Sequence, residues 1–225
     1  MPDLQSVSFS TEGWRPAQDD GMMRAWENAE KDTLSLHLFL KVPDLAGPLS
    51  RIDRIREGYR TGIVQAGGAL VEVEIDELDT VPALRTIFKL PQQLRGMSYI
   101  GAWTIPRKSF SFVVKVCCAE HGTTGIRDAV VAAKIQLPHG EDDPFQGWFQ
   151  DPYDPGFRAQ VLRNRSDDAE WDEFFPQHPL SRVRACLRSL KESISITEDV
   201  RRSEPFAGPQ ERSPRKSWFS RLTGR

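Results

Sequence analysis

The chain has 225 residues, 39% hydrophobic and 28% charged, with 30 Lys and Arg against 32 Asp and Glu and a net charge of −2. That length can bury a core and that balance is ordinary for a globular protein, which excludes collagen-like, wholly disordered and disulfide-scaffold classes. No apolar run reaches the roughly 18–20 residues of a membrane helix, Met1-Pro2-Asp3-Leu4 does not read as a secretory leader, and three cysteines with one adjacent pair suit a reducing compartment, so the expected location is the cytoplasm.

Residues 1–20 open with alternating Val7 and Phe9 and pass into a polar loop carrying Trp14. Met23 to Asn28 and Thr33 to Val42 then read as a β-hairpin. Leu34, Leu36, Leu38 and Leu40 repeat with period two and mark its core face. Pro48 opens an amphipathic helix over 48–66, with Leu49, Ile52, Ile55, Tyr59 and Ile63 on one side, Gly58 and Gly62 weakening it and Gly67-Gly68 ending it.

Val71, Val73 and Ile75 alternate with Glu72, Glu74 and Asp76, and a turn over Asp79 to Pro82 leads into the strand Ala83 to Leu90. Pairing that sets Asp76 against Arg85 and Glu72 against Lys89 would close a solvated face with opposite charges. Gly96 to Ile105 and Ser109 to Ala119 add two strands joined by Pro106-Arg107-Lys108, completing a four-strand meander. Thr123 or Thr124 caps a further helix whose face is Ile126, Val130, Ala133 and Leu137, with Asp128 in its first turn and Pro138 as its stop.

From Gly140 to Phe157 the sequence is acidic and aromatic with three prolines and no period. Asp167 and Glu170 form a capping-box pattern before Trp171, Phe174 and Phe175, and Pro179 opens a last helix with Leu180, Val183, Leu187, Leu190 and Ile194 in register. Over 201–225 there are seven basic residues against two acidic, leaving 23 against 30 in the rest of the chain. With Pro205, Pro209 and Pro214 and few apolar residues, that tail is expected to be disordered.

The expected fold is therefore α+β. A central antiparallel sheet, made of a hairpin, a helix and a four-strand meander, is covered by helices, with additional C-terminal helices. Residues 1–200 form one sandwich domain, including the aromatic and acidic loop 139–165 and the helices within 167–198, and 201–225 form a basic tail.

The order of elements from Leu34 to Ile135 resembles the PsbP-like fold. The resemblance is carried by Pro82-Ala83-Leu84-Arg85, Gly101-Ala102-Trp103 and Ser109-Phe110-Ser111-Phe112. That fold is shared by extrinsic photosystem subunits, a Ran-binding import factor and small bacterial lipoproteins and chaperones. The resemblance implies a non-enzymatic domain that binds proteins or small ligands, and it carries no functional residue onto this chain.

Several clusters offer chemistry. Cys117-Cys118-Ala119-Glu120-His121 holds a thiol, a carboxylate and an imidazole suited to a metal or a Cys–His pair, although on a strand the two cysteines face opposite ways and one belongs to the core. Glu141, Asp142, Asp143, Asp151 and Asp154 lack the spacing of an EF-hand. Glu74 and Asp76 fit a solvated strand face. Gly122-Thr123-Thr124-Gly125 precedes a helix as an anion loop would, but without the lysine of a P-loop. Phe145, Trp148, Phe149, Tyr153 and Phe157 either fold back over an apolar surface or meet a partner. In the tail, Arg215, Lys216, Trp218, Phe219, Arg221 and Leu222 suit an anionic membrane surface, nucleic acid or an acidic groove on a partner, and equally fit a plain solubilising tail.

These observations favour a non-enzymatic binding or adaptor protein. Its protein partner would contact Phe145, Trp148, Phe149 and Tyr153 or Arg215, Lys216, Trp218 and Phe219, with no catalytic residue, metal or cofactor expected. The acidic body argues against nucleic acid as the main ligand. The alternatives are a thiol- or metal-dependent enzyme built on Cys118 and His121, and a carrier of a small ligand or lipid.

Overall fold

The computed structural model describes residues 2–135 and 147–209. Seven strands form one antiparallel sheet: β2 (Arg15–Asp19), β3 (Met23–Glu27), β4 (Thr33–Phe39), β5 (Ala69–Leu78), β6 (Val81–Pro91), β7 (Met97–Pro106) and β8 (Ser111–Ala119), in the spatial order β2-β3-β4-β8-β7-β6-β5. A short pair, β1 (Val7–Ser8) with β9 (Ser195–Ile196), makes a second sheet. The hairpin thus joins the meander through its last strand, β4 against β8. Helix α1 (Ile52–Gln65) covers β5 on one face, and α3 (Pro179–Ser193) covers β7 and β8 on the other. The expected α+β sandwich is what the chain adopts.

The leucine repeat marks the α3 face as its period requires: Leu34, Leu36 and Leu38 are buried with Val183, Leu187 and Leu190. Leu40 lies beyond the end of β4 and is 55% exposed. Gly101 on β7 lets α3 approach closely, since a Cβ there would stand 2.5 Å from Val183 Cγ1, and Trp103 Nε1–H donates to the Leu187 carbonyl at 2.9 Å.

Several details differ from the sequence reading. The polar stretch after Trp14 forms β2, an exposed edge strand held by the backbone of β3 and not by burial. The β5–β6 turn has only two central residues, Asp79 and Thr80, both at positive φ as a tight hairpin requires. That shorter turn moves the register, so Arg85 faces Glu74 and Asp76 faces Ala83. A bulge between Leu70 and Glu72 moves it again, so Lys89 faces Ala69. The bulge also sends Val71 to the α3 core and Val73 to the α1 core, although they are two residues apart. Arg85 still lies 3.6 Å from Glu72.

Helix α1 starts at Ile52, four residues after Pro48, and Gly58 sits where the preceding loop presses Ala46 against the helix. Helix α2 (Ile126–Lys134) is N-capped by Gly125 in the left-handed region, not by a threonine. Its buried residues are Arg127 and Val131, while Ile126, Val130 and Ala133 face outward. The 3-10 turn Ala169–Trp171 has Asp168 at its N-cap with no side-chain cap bond; Asp167 instead closes the capping box of the preceding turn Arg165–Asp167, its carboxylate accepting the N–H of the N-cap Asn164 and a hydrogen bond from Lys89. The last helix begins at Pro179 as expected, with His178 Nδ1 accepting the Leu180 N–H.

The expected tail is ordered in its first part. Helix α4 (Glu198–Arg202) leads to Glu204, whose carbonyl accepts the Lys108 N–H at 2.9 Å, and Phe206 is buried with Ile55, Tyr59 and Leu45. One apolar anchor and backbone pairing offset the ordering entropy that the surrounding polar residues cannot. Among the described residues no helix is long and apolar enough to cross a membrane.

Candidate functional site

The end of β8, the start of α2 and the segment entering α3 enclose an open groove of about 570 Å³. Each wall is fixed by a buried polar contact. Glu120 closes the β8 end, its carboxylate accepting the Met97 N–H at 2.8 Å and the Gly125 N–H at 2.9 Å, with His178 Nε2 at 3.8 Å. Burial alone would raise this carboxyl, but the His178 contact and the two N–H donors hold it below its ordinary value. The Gly125 N–H that a phosphate loop would use is thereby already bonded.

Arg127 fixes the second wall from a fully buried position. It donates to the Ser166 carbonyl at 2.6 Å, the Asp168 carbonyl at 3.0 Å, Asp172 at 2.9 Å and Ser181 at 2.8 Å. Arg184 joins the same segment, reaching the Asp167 carbonyl at 2.7 Å and Glu72 at 2.6 Å. Arg182 makes a two-pronged pair with Asp32 at 2.8 Å on both arms. The charged groups of the groove are therefore largely committed to the protein itself. What remains for a visitor is apolar surface: Ile126 is 51% exposed, Phe174 62%, and Phe175 and Pro176 lie beside them.

The Cys117–His121 stretch does not converge. Cys118 is buried beneath α3 beside Asp32 and Arg182, Cys117 faces the opposite side of the sheet with Ile63 and Phe88, and His121 stands exposed at the groove rim. Burial raises the thiols of Cys117 and Cys118 and pushes Cys186 up to about 12. That is opposite to the shift an attacking thiolate requires.

The aromatic loop divides. Trp148 is buried against Val131 and Trp171. The Tyr153 hydroxyl accepts the Val73 N–H at 2.6 Å and donates to Glu74 at 2.8 Å, under the Arg56 guanidinium 3.8 Å from the ring centre. Asp151 is buried and receives two hydrogen bonds from Arg60 at 2.9 Å, so its carboxylate is paired with a cation. Phe149 is 50% exposed and lies away from the groove. Phe145, Glu141, Asp142 and Asp143, with Arg215, Lys216, Trp218 and Phe219, lie outside the described residues.

Sequence reading missed the groove because its determinants are scattered: Glu120, Arg127, Phe174 and His178 come from four segments. One signal was present, the apolar Ile126, assigned to the wrong side of α2.

No family profile and no curated sequence matches the chain. Structures do resemble it. A crystal structure from Bacteroides thetaiotaomicron VPI-5482 aligns at a TM-score of 0.34 and 9% identity, covering 52% of this chain and 40% of that one. The solution structure of cyanobacterial PsbP (CyanoP) from Synechocystis sp. PCC 6803 aligns at 0.37 and 11% identity, covering 59% of this chain and 82% of that one. The chain thus bears a distant, fold-level resemblance to PsbP.

Proposed function

We propose that this chain is a non-catalytic, cytoplasmic binding protein whose groove between β8, α2 and the α3 entry receives an apolar side chain or short segment of a protein partner. The observation that carries this reading is the exposure of Ile126 and Phe174 in one open groove whose charged lining is internally paired. Contiguous apolar surface of this kind is uncommon on a monomer and marks interaction sites. Rigid walls lower the ordering cost of binding. A small apolar ligand is the second reading, favoured by a volume within the usual range of ligand pockets.

A photo-crosslinking benzophenone amino acid at position 174 of the full chain tests the proposal in host extract. One protein crosslinked from position 174 and absent from position 94, where Leu94 is 98% exposed on another part of the surface, supports the reading. Equal crosslinking from both positions overturns it. A non-covalent small molecule retained in native mass spectrometry would favour the second reading.

A further inference from the structure

Among the described residues, the carboxylates and guanidiniums that line the groove are Glu30, Glu120, Arg127 and Arg182. All but one are taken. Glu120 accepts two backbone N–H groups and faces His178, Arg127 is paired with Asp172, and Arg182 is paired with Asp32. Glu30 is exposed, and among the described residues nothing bonds or pairs with it. Lys31, next in sequence, is exposed but does not line the groove.

Glu30 sits in the turn between β3 and β4, and that turn is locked. The Asn28 N–H donates to the Asp32 carbonyl at 3.1 Å, the Asp32 N–H donates to Asn28 Oδ1 at 2.8 Å, and Lys31 takes the left-handed conformation, φ 64°, that reverses the chain. Arg182 of α3 then grips the buried Asp32 carboxylate through Nε and one terminal nitrogen, both at 2.8 Å. The turn is thereby fastened to the helix whose entry lines the groove. A fixed backbone thus presents the uncommitted Glu30 carboxylate in the same groove as the apolar Ile126 and Phe174.

We propose that the segment received by the groove carries a lysine or arginine beside its apolar anchor, the cation meeting Glu30 while the anchor lies against Ile126 and Phe174. This rests on the groove being the binding site and adds which protein segments it admits. Because Glu30 is exposed, the incoming cation keeps part of its water and avoids the desolvation cost of a buried pair. Complementary charge of this kind sets orientation and excludes acidic segments more than it adds affinity. A cation of the chain itself, Lys134, lies 4.3 Å from the centre of the Phe174 ring without lining the groove, so an acidic segment is the competing choice that the test must reject.

The test uses probes of one shape and different charge: 2-phenylethylammonium, neutral 3-phenylpropanamide and 3-phenylpropanoate. Each is titrated at low salt into the full chain and into full-length Glu30→Gln, and the Ile126 methyl signals are followed by NMR. Glu30 is exposed, so Glu30→Gln is expected to fold as the native chain does. The expected result is that the native chain binds the ammonium roughly threefold or more tighter than the carboxylate. In Glu30→Gln that preference is lost, while the amide binds both chains alike. Equal affinity for the two charged probes, a preference for the carboxylate, or a preference for the ammonium that survives in Glu30→Gln overturns the proposal and leaves the groove standing. Failure of all the probes to bind overturns the groove reading with it.

Discussion

Lys89 Nζ lies 2.5 Å from Asp167 Oδ2, with both side chains almost wholly shut off from water. Burial alone would raise the Asp167 carboxyl, but Lys89 and the Asn164 N–H hold it below its ordinary value, so it stays ionised at neutral pH. The pair joins β6 to the segment that carries the groove's outer wall. Removing one partner strands a buried charge, so Lys89→Met or Asp167→Asn is expected to cost about 3–5 kcal/mol. The double variant Lys89→Met/Asp167→Leu should cost less than the sum of its singles, measured by urea unfolding. The sign of the pH effect follows from the lowered carboxyl. Its stabilisation is present above the unfolded value near 3.8 and disappears as pH falls through the lower folded value.

Gly101→Ala is expected to destabilise the fold by about 1–3 kcal/mol, because the added methyl meets a branched Val183 and a packed Leu187 and α3 must move. Thermal unfolding checks this, and an unchanged midpoint would mean that α3 packs farther from β7.

His37 has its protonation lowered to about 4, first by burial and then by Lys115. The unfolded chain takes this proton below about 6.5 and the folded chain only near 4, so stability falls as pH falls through that window. The loss is at most about 1.4 kcal/mol per pH unit, reduced by solvent screening. Denaturant midpoints at pH 7 and pH 4.5 should converge in His37→Phe.

Trp148→Ala should cost about 3–5 kcal/mol through the cavity it leaves beside Val131 and Trp171. Phe149→Ala, at a half-exposed ring, should change stability by less than about 0.5 kcal/mol. Two adjacent aromatic residues of one loop thus separate a packing role from a surface one.

Much of the sheet was legible because period two is written plainly in Leu34 to Leu38 and in Phe112 to Val116. The β5–β6 register was not, since Asp79-Thr80 closes a shorter turn than the sequence suggested and the bulge near Leu70 breaks the alternation of Val71 and Val73. The face of α2 was misjudged for a physical reason: buried Arg127 takes an inward place through its bonds to Ser166, Asp168, Asp172 and Ser181, and the apolar Ile126 and Val130 are turned outward. Apolar periodicity cannot reveal a helix anchored by a buried cation. The groove was illegible for the same reason, because its walls are held by long-range polar contacts.

The most direct measurement is quantitative capture from host extract with three full-length baits: the native chain, Ile126→Asp/Phe174→Asp, and the control Leu94→Asp. The account predicts one stoichiometric partner on the native chain and the control, reduced at least tenfold on the groove variant when all three baits unfold at similar temperatures. Equal recovery on all three would contradict the groove as the binding site.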